Sequence, residues 1–317
     1  MSSLNVLSLF DGISCGQIAL NRAGIAYASY HAAEIDSHAI DVTQHNYPNT
    51  VQLGDVTKIS AGTLPAIDLL IGGSPCQGFS FAGKKLNFDD PRSKLFFEYV
   101  RLRNELKPHW FLLENVLMKD EYIKVITENM GVEPVMIDSA RFSAQSRKRL
   151  YWTNIPLSAV VRTVSNQMVM DILEPIVPDS FLLTSSYMLK LKMDPTVSRL
   201  DVLKCEYREQ HAKGLMKPVL VSEVTHDTPS TRSRQTDRLY SALSKSPTLL
   251  ASRASDLKVD VGSSDQTKWR TLTPLECERL QTVPEGYTAC VKDPHRFRVL
   301  GNGWTVDVIA HVLGGIT

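Results

Sequence analysis

The alternation of short apolar, β-branched runs with helix-like segments is the feature of this sequence that most restricts its fold. It continues from the N-terminus to about Thr153 and is typical of βαβ units, which build parallel sheets covered by helices. The sequence therefore predicts an α/β fold with a doubly wound, mostly parallel sheet. The predicted strands cover 5–10, 27–34, 51–53, 67–71, 110–114, 132–138 and 150–153, and the predicted helices cover 16–23, 37–46, 94–105 and 121–130.

The alternation is lost after about residue 156, where we predict a second, smaller domain over about 156–265. Residues 1–155 and about 266–317 would then form the first domain. The segment 141–217 carries 12 Lys/Arg against 7 Asp/Glu, a net charge of +5 in a chain whose net charge is +1. This excess favours a surface that faces a polyanion, although a solvated surface of mixed charge explains it equally well.

Two local patterns near the C-terminus predict where regular structure resumes. Thr273 followed by Pro274 and Glu276 has the form of a capping box, which marks the start of a helix. The segment 301–304 is interpreted as a turn that enters a buried helix, and this helix is expected to return to the first domain.

Composition excludes several classes of protein. The five cysteines show no paired spacing, so neither a disulfide framework nor a metal site is expected. We see no basic leader and no apolar stretch long enough to cross a bilayer, which predicts a soluble, intracellular protein without a membrane partner.

Polar residues follow the predicted strands, where open α/β sheets bind their ligands. The first strand leads into a glycine-containing turn, and Glu34 lies 22 residues after Gly12, near the spacing at which an acid binds the ribose of a nucleoside. Asp55 follows the third strand and could accept from an adenine amino group. Taken singly, the turn and both acids are as well explained by an ordinary turn and solvated loop acids.

Three further segments carry groups suited to catalysis. Cys76 lies in a glycine- and proline-containing loop directly after the fourth strand, although a lone cysteine is more often a small buried hydrophobe. Glu114 ends the fifth strand, where an ordinary surface acid is the alternative. The cluster from Gln145 to Arg149 carries three basic residues, which a solvated face would also explain.

Taken in order, these motifs resemble those of the cytosine-C5 DNA methyltransferases over nearly the whole chain. Any one block is unspecific, and the order carries the resemblance. Some details are similar to the animal de novo DNA methyltransferases, whereas the length is that of a compact viral or prokaryotic enzyme. The matching blocks are Phe10-x-Gly12, Glu34, Gly54-Asp55, Pro75-Cys76-Gln77, Glu114-Asn115-Val116, Gln145-x-Arg147-x-Arg149, the segment from Arg270 to Gln281, and Gly301-Asn302.

The resemblance implies a Rossmann-like methyltransferase domain, a smaller target-recognition domain, and transfer of a methyl group from S-adenosylmethionine to C5 of a cytosine in double-stranded DNA, leaving S-adenosylhomocysteine. Cys76 would attack C6 of the flipped-out base, Glu114 would bind N3, Arg149 would bind O2, and Arg147 would brace the cysteine loop. The implied cofactor-binding residues are Phe10, Asp11, Gly12, Ile13, Ser14, Glu34, Ile35, Asp55, Val56, Pro75, Asn302 and Trp304.

Three other functions compete with this interpretation. A tRNA cytosine-C5 methyltransferase would share the fold, and a non-catalytic DNA-binding relative would have lost part of the set Cys76, Glu114, Arg147 and Arg149, which is intact here. A nicotinamide-dependent dehydrogenase would require the G-x-G-x-x-G turn, which is missing. The recognised DNA sequence, a restriction partner and the oligomeric state, including a homo-oligomer, stay open.

Overall fold

The structure is a computed structural model that describes residues 3–75, 91–157, 165–183, 218, 220–223, 238–251, 254–261 and 269–316. Its contacts divide the chain into two compact units. Unit 1 comprises Met1–Asp138, Lys148–Arg162 and Val306–Thr317, and unit 2 comprises Ser139–Arg147 and Thr163–Thr305. The predicted division by function, with target recognition over about 156–265, stays a prediction, and much of that range lies outside the described residues.

Unit 1 is built on a seven-stranded sheet with the order β3-β2-β1-β4-β5-β7-β6. The pairs from β3 to β5 are parallel, while β7 runs antiparallel to both β5 and β6. The predicted α/β fold with a mostly parallel sheet is therefore confirmed. The strands are β1 Leu4–Leu9, β2 Tyr27–Ala33, β3 Val51–Gln52, β4 Leu69–Gly73, β5 Trp110–Val116, β6 Val135–Asp138 and β7 Lys148–Thr153.

In the described part of unit 1, five helices join or cover these strands, and alternate residues of the central strands face different helices. Leu70 belongs to a buried cluster with Phe96 and Tyr99 of α3, whereas a Cβ on Gly16 of α1 would collide with Ile71. The continuous apolar runs thus reflect burial on both faces. The helices are α1 Cys15–Arg22, α2 Ser37–Asn46, α3 Pro91–Leu106, α4 Asp120–Met130 and α8 Val306–Leu313.

The strand order reverses direction at β1. From β1 the chain moves outward to β2 and β3, and it then returns to β4 on the other side of β1 before continuing to β5. Open α/β sheets bind ligands at such a switch point, beyond the carboxyl ends of the strands. The turn after β1 and the segment after β4 therefore mark the expected position of a ligand site.

Unit 2 contains a four-stranded sheet with the order β11-β10-β9-β8. At the start of α6 the Thr273 hydroxyl accepts from the Glu276 N–H, and the Glu276 carboxylate accepts from the Thr273 N–H, so the predicted capping box is confirmed. The elements are α5 Val169–Ile172, β8 Leu220–Glu223, β9 Arg238–Ser241, β10 Lys258–Asp260, β11 Trp269–Thr271, α6 Pro274–Leu280 and α7 Asp293–Asn302.

The interpretation of the segment 301–304 as a turn is wrong for its first two residues. Gly301 and Asn302 form the end of α7, and the chain leaves the helix only at Gly303. Gly301 fits there because its missing side chain allows close approach, since a Cβ would lie 2.5 Å from the Ala251 nitrogen. Glycine in this segment thus serves packing within a helix rather than a turn.

Helix α8 is buried as predicted, and it groups with unit 1. Its Val308, Ile309 and Val312 side chains are fully buried, and Asp307 forms an ion pair of 2.6 Å with Arg22 at the end of α1. Within the described residues, no helix is long and apolar enough to span a membrane.

Candidate active site

The turn between β1 and α1 has an unusual backbone. Phe10, Gly12 and Ser14 all have positive φ angles, of 58°, 61° and 55°. Only glycine adopts this region without strain, so Phe10 and Ser14 are each held there by surrounding contacts. Since such strain tends to occur at functional sites, this turn is the first part of the candidate site.

The contacts that hold the turn centre on the Asp11 carboxylate, which is buried. Its Oδ1 accepts from the Tyr30 hydroxyl at 2.7 Å, and its Oδ2 accepts from the Ser14 hydroxyl. Burial raises the pKa of Asp11, and the nearby Glu34 charge acts in the same direction. The hydrogen bonds from Ser14, Ser8 and Tyr30 oppose this rise, and the resulting pKa is about 6. The turn therefore contains an acid that titrates close to neutral pH.

Buried hydroxyl and amide groups extend this network below the turn. The Ser14 hydroxyl accepts from the Gln17 amide at 3.1 Å and from the Thr43 hydroxyl at 3.2 Å. The Gln17 amide also donates to Thr50, at 2.7 Å. Side chains of α1 and α2 thus converge on Ser14, and Gln17 links them to the loop before β3. These contacts explain how a serine can remain at positive φ.

Glu34, at the end of β2, reaches across to the same turn. Its Oε2 accepts from the Gly12 N–H at 2.7 Å, and its Oε1 accepts from the N–H groups of Ile35 and Asp36, each at 2.8 Å. A carboxylate has about four lone-pair positions, and these three bonds leave one on Oε2. The carboxylate is thereby held in place with capacity for one further hydroxyl donor.

Two neighbouring positions complete a surface suited to a nucleoside. The Ile35 side chain is 77% exposed, although it is large and apolar. Asp55 uses Oδ1 to accept from the N–H and the hydroxyl of Thr57, and these bonds lower its pKa, so it is ionised at neutral pH with Oδ2 able to accept from a ligand. Val56, next in the chain, is buried.

Glu114 and Arg149 form the second part of the candidate site. They lie on the paired strands β5 and β7, and Arg149 Nε is 2.9 Å from Glu114 Oε1. The Glu114 and Arg149 side chains are 10% and 13% exposed, so the ion pair is shielded from most of the solvent. The arginine beside the carboxylate orients it through a charge-assisted hydrogen bond.

A residue of β5 holds the segment that leads to Cys76. Asn115, directly after Glu114, donates from its amide to the Ser74 hydroxyl at 3.1 Å and to the Ser74 carbonyl at 3.4 Å. Ser74 is buried and Pro75 is half-buried. Cys76 itself and residues 77–90 lie outside the described residues.

The remaining predicted site residues belong to unit 2. Arg147 is buried and donates to the carbonyls of Leu249, Gly301 and Gly303, at 3.0 to 3.3 Å. Asn302 is exposed and Trp304 is half-buried. Bracing of the cysteine loop by Arg147, and binding of a cofactor's methionine end by Asn302 and Trp304, stay predictions.

Sequence reasoning missed two residues that support the candidate site. Tyr30 occupies the middle of β2, where an aromatic residue is ordinary, and its spacing of 19 residues from Asp11 gave no signal. Arg101 donates from α3 to the Ile59 carbonyl at 3.1 Å, and its guanidinium also pairs with Glu98 and Glu105. Arg101 thereby attaches α3, which begins at Pro91, to the segment that follows Asp55.

A model of the C-5 cytosine-specific DNA methylase family matches residues 4–317. The orphan methyltransferase M.SPRI of Bacillus phage SPR is 38% identical over 164 residues, which are 48% of this chain and 37% of that protein. The type II methyltransferase M1.ScrFI of Lactococcus lactis subsp. cremoris is 28% identical over 324 residues, which are 96% of this chain and 75% of that protein. The chain thus spans a little more than a third of the phage relative and three quarters of the bacterial one.

The fold is also similar to that of solved structures. The Entamoeba histolytica methyltransferase EhMeth superposes with a TM-score of 0.71 at 16% identity, over 99% of this chain and 98% of that one. At this identity the likeness concerns the fold alone, and it supports the α/β architecture with a smaller second sheet. Because the family model matches almost every residue, the chain belongs to the C-5 cytosine-specific DNA methylase family.

Proposed function

We propose that the protein is a DNA (cytosine-5) methyltransferase that uses S-adenosylmethionine. The observation that carries this proposal is the shielded Glu114–Arg149 pair at the end of β5, beside β4, whose chain continues through Ser74 and Pro75 to Cys76. A carboxylate, an arginine and a thiol in neighbouring segments are the three groups that covalent activation of a cytosine requires.

The residues at the switch point of the sheet fit S-adenosylmethionine. The unused lone pair on Glu34 Oε2 suits a ribose hydroxyl, and Asp55 Oδ2 suits the adenine amino group. The exposed Ile35 side chain offers an apolar contact for the adenine ring. By the family resemblance, Phe10 would stack near the adenine and Val56, next to Asp55, would belong to the same part of the site. Backbone of the turn from Asp11 to Ser14, together with Pro75, would line the methionine part.

The chemistry explains why these residue types are needed. C5 of cytosine is a poor nucleophile until a group adds to C6, and the Cys76 thiolate is suited to form that bond. Electron density then moves toward N3 and O2, where Glu114 would hold N3 and the exocyclic amine and Arg149 would hold O2. When bound, S-adenosylmethionine supplies an electrophilic methyl group to the enriched C5. Loss of the C5 proton to water and expulsion of the Cys76 thiolate restore the aromatic base.

The proposed substrate is double-stranded DNA with the target cytosine rotated out of the stack, because a thiol cannot reach C6 inside a duplex. The basic segment 141–217 would contact phosphates, which predicts binding that weakens as salt rises. The phage and bacterial relatives favour a location inside a prokaryotic or virus-infected cell.

The test is covalent trapping on duplex DNA that contains 5-fluorocytosine, with labelled S-adenosylmethionine. Fluorine at C5 blocks the final elimination, so the enzyme remains bonded to the base and migrates as an adduct on a denaturing gel. We expect an adduct with the wild-type chain, none with Cys76→Ala, and an undiminished amount with Cys290→Ala, which removes an exposed cysteine outside the candidate site.

Each outcome decides between the competing functions. An adduct that persists in Cys76→Ala would overturn the proposed nucleophile. An adduct on tRNA but on no duplex would replace the DNA substrate with RNA. If no adduct forms on a randomised duplex library or on tRNA, while the cofactor still binds, the result would favour a non-catalytic DNA-binding relative.

A further inference from the structure

The Asp11 carboxylate is buried too deeply to contact a bound ligand directly. It is 8% exposed, and both of its oxygens are occupied by the hydroxyls of Tyr30 and Ser14. It therefore lies beneath the cofactor turn rather than on its surface. A ligand in the turn would experience its charge without touching it.

The groups that surround Asp11 leave this charge uncompensated. Ser8 faces it from β1, Ser14 from the turn, and Tyr30 and the Glu34 carboxylate from β2. Burial and the Asp11 charge, with a smaller effect from the buried Cys15 of α1, raise the pKa of Tyr30 well above its usual value, so Tyr30 stays a neutral donor. The polar groups of α2 and α1 that reach Ser14, from Thr43 and Gln17, are also neutral. Two carboxylates, Asp11 and Glu34, thus meet at one turn.

The cofactor and its product differ by one charge. S-adenosylmethionine carries a sulfonium, an ammonium and a carboxylate, a net charge of +1, whereas S-adenosylhomocysteine has lost the sulfonium and is neutral overall. A buried anion acts on such a cation over several ångströms, because its field is weakly screened away from water. An anion beneath the turn should therefore favour the substrate over the product.

We propose that Asp11 is a specificity-determining residue that favours binding of cationic S-adenosylmethionine over neutral S-adenosylhomocysteine through the charge it holds beneath the turn. The inference rests on the proposed function, which supplies the cofactor. Because the pKa of Asp11 is about 6, the carboxylate is ionised at pH 8 and becomes protonated as the pH falls through 6. The preference is accordingly present above pH 6 and lost below it.

The first test compares the affinities of both ligands by calorimetry at pH 8, for the wild-type chain and Asp11→Asn. Asparagine retains the shape of the side chain and can still accept from Tyr30, but it removes the charge. We expect the S-adenosylmethionine affinity to fall on the order of tenfold in Asp11→Asn, with S-adenosylhomocysteine affinity changed by less than about twofold. A purely structural role would weaken both ligands equally.

A second readout is the proton released on binding, obtained at pH 6 from the binding enthalpy in buffers of different ionisation enthalpy. About half of the free wild-type chain carries a protonated Asp11 at this pH. A tenfold preference of the cation for the ionised form then predicts release of about 0.4 proton per S-adenosylmethionine, and close to none for S-adenosylhomocysteine. Asp11→Asn should abolish the difference between the two ligands, because it removes the group that releases the proton.

Tyr30→Phe provides an independent variant if Asp11→Asn fails to fold. It removes a hydroxyl that stabilises the ionised carboxylate, so the pH at which the preference is lost should rise. Tyr27→Phe is the matched control, because the Tyr27 hydroxyl on the same strand donates to Gln17 instead, and its pH profile should match the wild type.

An unchanged ratio of the two affinities in Asp11→Asn, or equal proton release for both ligands, would overturn this inference while leaving the proposed methyl transfer intact. Failure of the wild-type chain to bind either ligand would overturn the proposed function, and the inference with it.

Discussion

Both units bury carboxylates, but they compensate the charge differently. In unit 2, Glu276 is fully buried and receives two bonds from the Arg270 guanidinium, and the fully buried Glu278 pairs with Arg296 at 3.1 Å. In unit 1, Asp11 is held by hydroxyls and Glu34 by backbone N–H groups. An arginine partner neutralises the carboxylate, whereas neutral donors fix its position and leave its charge in place.

This difference in charge compensation corresponds to a difference in role between carboxylates that support the fold and carboxylates that surround a ligand site. The acids of unit 2 tie segments together: Glu276 also accepts from the Glu174 N–H, and Glu278 accepts from the N–H groups of Gly286 and Thr288. The acids of unit 1 surround a strained turn at the switch point of a sheet. Glu114 is the intermediate case, since its partner Arg149 is itself proposed to contact the base.

The largest effect is expected where a buried pair in unit 2 is broken. Arg270→Gln leaves Glu276 buried without its counter-charge, so the free energy of unfolding should fall by about 3–5 kcal/mol. Urea unfolding measures it. Glu285→Gln is the control, because Glu285 is 60% exposed where it pairs with Arg279, and its loss should leave stability close to that of the wild type. Equal effects would show that the pairs of unit 2 do not support the fold as argued.

Glu114→Gln should lower kcat on duplex DNA on the order of 100-fold while leaving the dissociation constant of S-adenosylmethionine unchanged. The amide cannot supply the proton or charge that the base requires, and Glu114 lies on a different strand from the cofactor turn. Single-turnover methylation and calorimetry give the two values. Glu121→Gln, whose side chain is 60% exposed, is the matched control and should behave as wild type. A parallel loss of cofactor affinity would contradict the separation of the two parts of the site.

Asp11→Asn should stabilise the protein at pH 8 by about 3 kcal/mol, even though it weakens cofactor binding. The pKa of Asp11 rises from 3.8 in the unfolded chain to about 6 in the fold, so its contribution to stability is present below pH 4 and is lost as the pH rises through 6. The gain from Asp11→Asn should therefore be small at pH 4 and grow up to pH 7. Urea unfolding at both ends of this range tests the sign, and a gain that grows toward low pH would refute it.

Glu34→Gln should weaken S-adenosylmethionine binding about tenfold, because an amide cannot accept both the N–H bonds and the ribose hydroxyl on its two ends. Calorimetry at pH 8 gives the value. Asp36→Asn, whose carboxylate caps α2 through the His38 N–H, is the neighbouring control and should leave binding within about twofold. A loss confined to the control would move the ribose contact away from Glu34.

Local pattern was sufficient to predict most of unit 1. The first helices and strands lie within a few residues of their predicted bounds, because burial on both faces leaves continuous apolar runs such as Leu69 to Ile71. The acids at the strand ends were also predictable, because Glu34 and Asp55 are charged residues at the ends of the apolar runs that mark β2 and β3. The order of the strands and the antiparallel direction of β7 depend on contacts between distant segments, which no local period encodes.

The rest of the candidate site depends on such distant contacts. Tyr30 and Asp11 are separated by 19 residues, and Arg101 bonds a carbonyl 42 residues away. Gln281, at the end of a recognised motif, donates to the Leu300 carbonyl at 2.6 Å, so its role is visible only once α6 and α7 are placed. The interpretation of Gly301 as a turn residue was wrong because a glycine required for close packing leaves the same sequence signal as one required for a turn.

The division of unit 1 among three chain segments has a consequence for synthesis in the cell. Helix α8, which packs on α1, follows residues 163–305, all of which belong to unit 2. At ordinary translation speeds the ribosome needs roughly 10–30 s to make that segment. During this time the apolar surface of α1 that α8 will cover stays open to solvent. The nascent chain therefore carries an exposed, aggregation-prone face for most of its synthesis, and a C-terminal truncation before Val306 would make that state permanent.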